Sequence, residues 1–179
     1  NNNKLKKIFT KITKKKHYLF KDKLNFKYPK SEGFGHHIDG HWFWYRKNSK
    51  REKGWTRYGN SFLNVVIPLE NVFLKNGCLY LSSKKNTLNK LGNSWDKITN
   101  SLDKNKNILK SKFVYKSYPL TIGDLLIFDW KVSHYSKKNL SEKSRMIIYA
   151  TFSDKKNQMT KYYTDKQKSN SSSKQKVFF

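Results

Sequence analysis

The sequence contains a single cysteine, Cys78, among its 179 residues. One thiol allows neither an internal disulfide nor a thiolate cluster, so a reduced, cytoplasmic (intracellular) setting is expected. The sequence has no apolar run long enough to span a bilayer and no signal-peptide segment, so it predicts no membrane span. The chain begins at Asn1 rather than at a methionine, and we therefore expect a fragment or a processed form.

Acidic residues and arginines are also scarce. The chain has 39 basic and 12 acidic residues, for a net charge of +27, yet only four of the basic residues are arginines. Such a charge attracts nucleic acid, anionic lipid or acidic substrates. An excess of lysine together with 18 asparagines is, however, what codon bias produces in an AT-rich genome. We favour codon bias over a selected nucleic-acid partner and keep a basic nucleic-acid-binding module as an alternative.

The apolar residues occur in short alternating segments. Hydrophobic residues make up 36% of the chain and aromatic residues 16%, enough for one globular core. Alternation begins after His17, and turn signals separate the later candidate strands. Those candidates are 61–69, 78–82, 112–118, 124–130 and 144–152. This pattern predicts a mainly β sandwich or barrel.

Three regions are too polar to belong to that core: 1–16, 84–111 and 154–179. Residues 1–16 form a basic N-terminal segment, expected to be a solvated end or a frayed helix. Residues 17–153 form the β domain, with a polar insertion at 84–111 that holds at most a short helix near 95–102. Residues 154–179 are expected to be a disordered basic tail, because they have little to bury.

The segment GFGHHIDGHW, residues 33–42, holds three of the five histidines. In a strand, residues two apart point to the same face, so His37 and Asp39 can present an imidazole and a carboxylate to one point. The third ligand would be His134, just past the candidate strand DLLIFDW. His36 faces away from His37 in a strand, which indicates a structural or surface role, whereas His41 shares a face with Asp39.

Two histidines and one carboxylate leave coordination positions open, as in non-heme Fe(II) oxygenases, with zinc as the rival metal. A His-x-Asp alone is a weak signal. Arg145, eleven residues after His134, strengthens it, because a guanidinium on the face of an apolar strand needs an anion. A carboxylate suits its planar fork, and Ser136 could add a hydroxyl.

These residues resemble the phytanoyl-CoA dioxygenase family of Fe(II)- and 2-oxoglutarate-dependent oxygenases. The resemblance runs from Phe20 to Phe152 and is carried by FKDKLNFKYP, GFGHHIDG, VVIPLENVFLKNGCLYL and GDLLIFDWKVSHYSKKNLSEKSRMIIYATF. In that family the His-x-Asp, a distal His, a Ser two residues on and an Arg eleven residues on recur in this order. By this resemblance the iron ligands are His37, Asp39 and His134, and the distal carboxylate of 2-oxoglutarate is held by Arg145 and Ser136.

The resemblance also implies a double-stranded β-helix of the jelly-roll or cupin-like type, with short helical insertions. Asn25 and Phe34 match an Asn and a Phe with which a member of the family contacts the co-substrate.

The activity that the resemblance implies is hydroxylation of a small organic substrate with O2, releasing succinate and CO2. Asp39 argues against halogenation, which needs a small residue at that position. The substrate stays open, and an anion would suit the basic charge. The family's N-terminal segment is almost absent, so an N-terminally truncated member is expected, with an inactive relative as the alternative.

Overall fold

The computed structural model describes residues 3–40, 43–45, 51–83 and 113–172. The expected insertion at 84–111, with its short helix, lies outside the described residues. The strands in these ranges are β1 (Tyr18–Lys27), β2 (Phe34–His37), β3 (Phe43–Tyr45), β4 (Arg51–Lys53), β5 (Phe62–Pro68), β6 (Leu79–Ser82), β7 (Tyr115–Tyr118), β8 (Leu126–Asp129), β9 (His134–Ser136) and β10 (Arg145–Ser153).

Helices flank the strands along the chain. Helix α1 spans Asn3–Thr13, α2 spans Gln158–Ser172, and a short 3-10 helix covers Trp55–Arg57. In the part of the chain that the structure describes, no helix has the length and apolar character needed to cross a membrane.

Eight of the strands form two four-stranded antiparallel sheets. The first sheet has the order β1-β10-β5-β8, the second has the order β2-β9-β6-β7, and β3 pairs with β4 in a separate hairpin. The two sheets pack face to face, as the core residues show. This arrangement confirms the predicted mainly β jelly roll, and each of the five candidate strands predicted from alternation contains an observed strand.

The central strands of the first sheet are largely buried on both faces, which explains why they read as nearly continuous hydrophobic runs. Its inner face contributes Val66, Phe128 and Ile147 to a core shared with the second sheet, which supplies Leu79 and Leu81. These inward residues alternate along each strand with outward ones, as the period of a strand requires.

Helix α1 covers the outer face of the first sheet. Leu5 and Phe9, four residues apart on one side of the helix, are buried against Leu63, Val65 and Ala150. The Phe9 ring lies 4.8 Å from that of Phe152, centroid to centroid. The basic N-terminal segment is thus a docked helix over Asn3–Thr13, where a solvated end was the favoured expectation. Its spaced apolar residues account for the difference.

Helix α2 occupies much of the expected tail. The prediction of disorder at 154–179 is wrong over Gln158–Ser172; residues 173–179 lie outside the described ranges. Tyr162 is buried against Phe20 and Tyr58, with ring centroids 4.8 and 5.5 Å away. Asp165 accepts a 2.8 Å hydrogen bond from the Tyr58 hydroxyl and lies 3.5 Å from the Arg57 guanidinium. A single buried ring and one carboxylate therefore anchor a helix whose composition is otherwise polar.

We expect Tyr162→Ala to lower the free energy of unfolding by about 3 kcal/mol, because it removes a buried aromatic ring and leaves a cavity beside Phe20. Tyr163→Ala is the matched control, since Tyr163 is more exposed, and it should cost less than about 1 kcal/mol. Urea denaturation measures both. Equal effects of the two substitutions would show that α2 does not depend on the Tyr162 contact.

Candidate functional site

Three predicted ligands meet at one point between the sheets. His37 ends β2 and His134 begins β9, and the two residues are direct partners in the antiparallel pairing. Their ring centroids are 4.1 Å apart. The Asp39 carboxylate lies beside both, with 3.7 Å between Oδ2 and His134 Nε2 and 4.0 Å between Oδ1 and His37 Nε2. One ligand atom from each residue lies within 4.8 Å of the others, so the group could hold a metal ion.

Asp39 reaches this point from a turn rather than from a strand. Strand β2 ends at His37, and Asp39 and Gly40 form the turn that follows. The sequence-based expectation that alternation along one strand aligns His37 with Asp39 is therefore corrected, although the two side chains do converge. Gly40 has φ +66°, and a Cβ there would lie 2.6 Å from the Trp55 ring. Only glycine satisfies both conditions without strain.

Hydrogen bonds define which imidazole nitrogen faces the carboxylate. His37 Nδ1 lies 2.7 Å from the Gly35 carbonyl oxygen, and His134 Nδ1 lies 3.0 Å from that of Val132. A carbonyl can only accept, so each Nδ1 carries the proton and donates it. In each ring Nε2 is thus the nitrogen that faces Asp39, which is the orientation that metal-binding histidines have.

The protonation states favour a bound cation. Burial lowers the pKa of His37 to about 3, so this ring is neutral at physiological pH. Burial alone would raise the pKa of Asp39, but the charges of His134 and Lys21 outweigh it and hold that pKa below its usual value. An ionised carboxylate and the neutral His37 ring thus face the same point.

The separations also fit a metal ion. Ligand atoms bound to one ion at about 2.0 to 2.2 Å lie about 3 Å apart when they are at right angles. The observed distances of 3.7 and 4.0 Å need only small side-chain adjustments to reach that value. Converging electron pairs repel one another unless a cation lies between them, so the donor set fits a divalent metal.

Asn64 orients the carboxylate. Its Nδ2 donates a 2.7 Å hydrogen bond to Asp39 Oδ2, and its Oδ1 accepts a 2.8 Å bond from the Thr151 hydroxyl. The Thr151 bond determines which end of the amide faces Asp39. The sequence analysis missed Asn64, although an asparagine inside the apolar run SFLNVVIPL was a signal that a buried polar group lies there.

A second feature next to these ligands is a group of three buried polar residues, Arg145, Lys27 and Ser136, which we call the anion pocket. Ser136 lies two residues after His134 on β9. Arg145 is 1% exposed, and the structure describes no carboxylate paired with it. Its Nη1 donates to Asn25 Oδ1 and its Nη2 to the Gly77 carbonyl, each at 2.9 Å. Its Nε is buried and has no hydrogen-bond partner among the described residues. A buried guanidinium without a carboxylate is costly, and an anionic ligand would offset that cost.

Lys27 adds a second buried cation to the anion pocket. It pairs with Arg145 in the register of β1 and β10, and its Nζ donates to Ser136 Oγ at 2.9 Å and to the Lys137 carbonyl at 2.6 Å. Burial first, and then repulsion by Arg145, lowers the pKa of Lys27 to about 8, so it remains protonated at neutral pH. The sequence analysis missed Lys27, although alternation in FKDKLNFKYP places it on one face with Asn25.

The remaining predicted site residues surround these two features. Ser136 Oγ accepts hydrogen bonds from Lys27 Nζ and, at 3.3 Å, from the Phe34 amide, so its own proton is available to a ligand. The Phe34 ring is largely exposed and packs edge-on against His37 at 4.5 Å. Asn25 binds Arg145 directly. Their contacts with a co-substrate stay predictions.

Two other histidines have structural contacts. The His36 ring stacks on Tyr135 at 4.0 Å, on the side of β2 away from the metal ligands, as the expected structural role requires. His17 is buried, with its Nε2 3.1 Å from Ser61 Oγ. His41, expected on the same face as Asp39, lies outside the described residues.

Proteins of known family share sequence with this chain. Residues 2–147 match the family model described as phytanoyl-CoA dioxygenase. A 2-aminoethylphosphonate dioxygenase from an uncultured bacterium is 28% identical over 138 residues, which are 75% of this chain and 45% of the relative. The chain therefore spans about half the length of the curated relative that it matches.

Solved structures share the fold. The non-heme α-ketoglutarate-dependent epimerase SnoN from nogalamycin biosynthesis has a TM-score of 0.56 at 16% identity, over 83% of this chain and 51% of its own. EctD from S. alaskensis, solved with 2-oxoglutarate and 5-hydroxyectoine, has a TM-score of 0.54 at 14% identity, over 83% and 48%. At these identities the likeness concerns the fold alone.

We expect Asn64→Ala to weaken metal binding by about 10- to 100-fold, because it frees the Asp39 carboxylate to rotate and leaves Oδ2 without its donor. Competition between the protein and a chelator for Zn(II) or Co(II) measures the affinity. Asn60→Ala, at an exposed position before β5, is the control and should bind as the unmodified protein does. Unchanged affinity in a folded Asn64→Ala variant would contradict a role for Asn64 in orienting the ligand.

Proposed function

Because the chain belongs to the phytanoyl-CoA dioxygenase family, we propose that it carries the active site of an Fe(II)- and 2-oxoglutarate-dependent oxygenase that hydroxylates a small organic substrate. One observation supports this most directly: His37, His134 and Asp39 each bring one ligand atom within 4.8 Å of the others, as a metal site requires. The proposal concerns the whole protein, although this chain covers only 45% of the matched relative.

In this proposal His37 Nε2, His134 Nε2 and the Asp39 carboxylate hold Fe(II). Bound iron would supply open coordination positions for 2-oxoglutarate and O2, with release of succinate and CO2 as the substrate gains a hydroxyl group. The carbonyls of Gly35 and Val132 keep both rings in the ligating tautomer. Asp39 itself favours hydroxylation, since halogenation by this chemistry requires a small residue at that position.

The anion pocket accounts for the co-substrate. Arg145 and Lys27 are two buried cations without a protein carboxylate in the described chain, and the Ser136 hydroxyl adds a donor between β1 and β9. We assign to them the distal carboxylate of 2-oxoglutarate, whose other end would chelate the metal. In this assignment Asn25 orients the Arg145 guanidinium in addition to contacting the co-substrate. Zinc hydrolases, the rival users of such ligands, have no need of this second pocket.

Removing any metal ligand should abolish activity. We expect His37→Ala, Asp39→Ala and His134→Ala each to abolish turnover of 2-oxoglutarate, because each removes one of three ligands. Anaerobic addition of Fe(II) and 2-oxoglutarate should also fail to produce the visible charge-transfer band of the chelate. His36→Ala, one residue from His37 but on the other face, should keep the band. A wild-type protein without the band, or a His134→Ala variant with full turnover, would contradict the proposal.

Arg145→Lys keeps a charge but loses the planar fork. We expect the apparent affinity for 2-oxoglutarate to fall by about one to two orders of magnitude, the value of one charge-assisted hydrogen bond of roughly 1.5 to 3 kcal/mol. Titration of the charge-transfer band measures that affinity, and Fe(II) binding should survive because Arg145 is not a ligand. Lys27→Met should act in the same direction. Loss of iron together with 2-oxoglutarate, or of neither, would make Arg145 a purely structural residue.

A further inference from the structure

Two further lysines line the site on the other side of the metal ligands. We propose that Lys21 and Lys23 bind an anionic group, a phosphonate or a carboxylate, of the primary substrate. This inference rests on the proposed oxygenase function and names the class of substrate that the site accepts.

The pairing of β1 with β10 places both lysines on the inner face of the first sheet. Lys27 pairs with Arg145, Lys23 with Tyr149 and Lys21 with Thr151. Directly paired residues point to the same side of a sheet. Thr151 hydrogen-bonds to Asn64, which in turn binds Asp39, so this side is the one that faces the metal ligands. The two lysines therefore continue the row that begins at Lys27.

Individual contacts bring the ammonium groups close to the ligands. Lys23 Nζ lies 5.7 Å from the centroid of the Phe34 ring and 5.6 Å from that of Tyr149, and the Phe34 ring itself packs on His37. Lys21 Nζ lies 4.4 Å above the Trp55 ring. The charge of Lys21 helps to lower the pKa of Asp39, and that of Lys23 helps to lower the pKa of His37.

The charges on this inner face are unbalanced. Among the described residues neither Lys21 nor Lys23 forms an ion pair with a carboxylate, and Asp39 is bound to Asn64 and committed to the metal. Lys21 is half-buried and Lys23 is exposed. Burial lowers the pKa of Lys21, against the attraction of Asp39, and repulsion by Lys23 and Lys166 lowers it further. Neighbouring ammonium groups without a carboxylate form a favourable site for an anion.

The co-substrate accounts for only part of this charge. Its distal carboxylate is assigned to Arg145 and Lys27, which lie at one end of the β1 row, whereas Lys21 and Lys23 lie toward the other end. The rings of Trp55, Phe34 and Tyr149 lie within 4.4 to 5.7 Å of the two ammonium groups, so apolar surface adjoins the charges. A small molecule with an anionic head and an aliphatic part suits such a mixed surface.

The test is binding of simple probes to the anaerobic complex with Fe(II) and 2-oxoglutarate. Propylphosphonate and butyrate are anions at neutral pH, butanamide is uncharged, and the three have similar aliphatic parts. Calorimetry should show that the two anions bind and that the amide does not; the stronger anion identifies the head group. Formation of the charge-transfer band, recorded in the same samples, tests the oxygenase proposal separately.

Variants identify the residues. We expect Lys21→Gln and Lys23→Gln each to weaken binding of the preferred anion about tenfold or more, the effect of losing one charge-assisted contact. The band should form with each variant. Lys23→Arg keeps the charge and should restore binding. Lys4→Gln, which removes an exposed charge from α1 behind the first sheet, is the matched control for the overall charge and should change nothing.

The outcomes are distinct. If the band forms but the anions bind no better than butanamide, or if Lys4→Gln weakens binding as much as Lys21→Gln and Lys23→Gln do, the substrate inference is wrong and the oxygenase proposal stands. If the band never forms, the oxygenase proposal fails, and the substrate inference fails with it. If either lysine variant loses the band as well as the anion, that lysine supports the metal site rather than the substrate.

Discussion

The antiparallel pairing of β1 with β10 determines where every cation of the site lies. Its register runs from Tyr18 opposite Ser153 to Lys27 opposite Arg145, with one irregularity between Leu19 and Lys21. That irregularity gives β1 an additional residue, Phe20, which is fully buried in the aromatic cluster that also holds α2. The strand can therefore contribute to an apolar cluster at one end and place alternate polar residues in the site along the rest of its length. A shift of the register by one residue would turn the whole lysine row toward the outer face.

Charge complements this register. The ligands present one carboxylate and two imidazole rings, of which His37 is neutral because it is buried. The surrounding inner face carries cations from β1 and β10 and, in the described chain, no carboxylate other than Asp39 that acts on the ligands. A divalent metal adds two further positive charges. The site as a whole therefore approaches neutrality only with anions bound, one for the pair of Arg145 and Lys27 and a second for the other two lysines. The positions of these charges favour two anionic small molecules over a single one.

The sequence predicted the parts of this site whose residue types are rare in the chain. Histidine is uncommon here, and so the spacing of His37 and His134 was informative; arginine is also uncommon, and Arg145 in an apolar strand pointed to an anion. Lysine is so abundant in this chain that a single lysine in a strand does not indicate a site. Lys27 was therefore missed, although the structure buries it as it buries Arg145. Alternation located the strands because each has one or two apolar faces. It could not locate α2, since a helix that docks through one ring and one carboxylate has almost no apolar periodicity to detect.

The buried cations make the site costly to fold without its ligands. Arg145 has a buried nitrogen without a hydrogen-bond partner in the described structure, and the pKa of Lys27 is lowered by burial and by Arg145 itself, which means that the folded state disfavours its charged form. Packing elsewhere must offset this cost, and the two flanking helices supply such packing. Ligands that bind only the folded state add stability in proportion to the logarithm of their concentration. An anion between Arg145 and Lys27 would therefore act on both properties at once, completing the active site and removing the repulsion that weakens the fold around it.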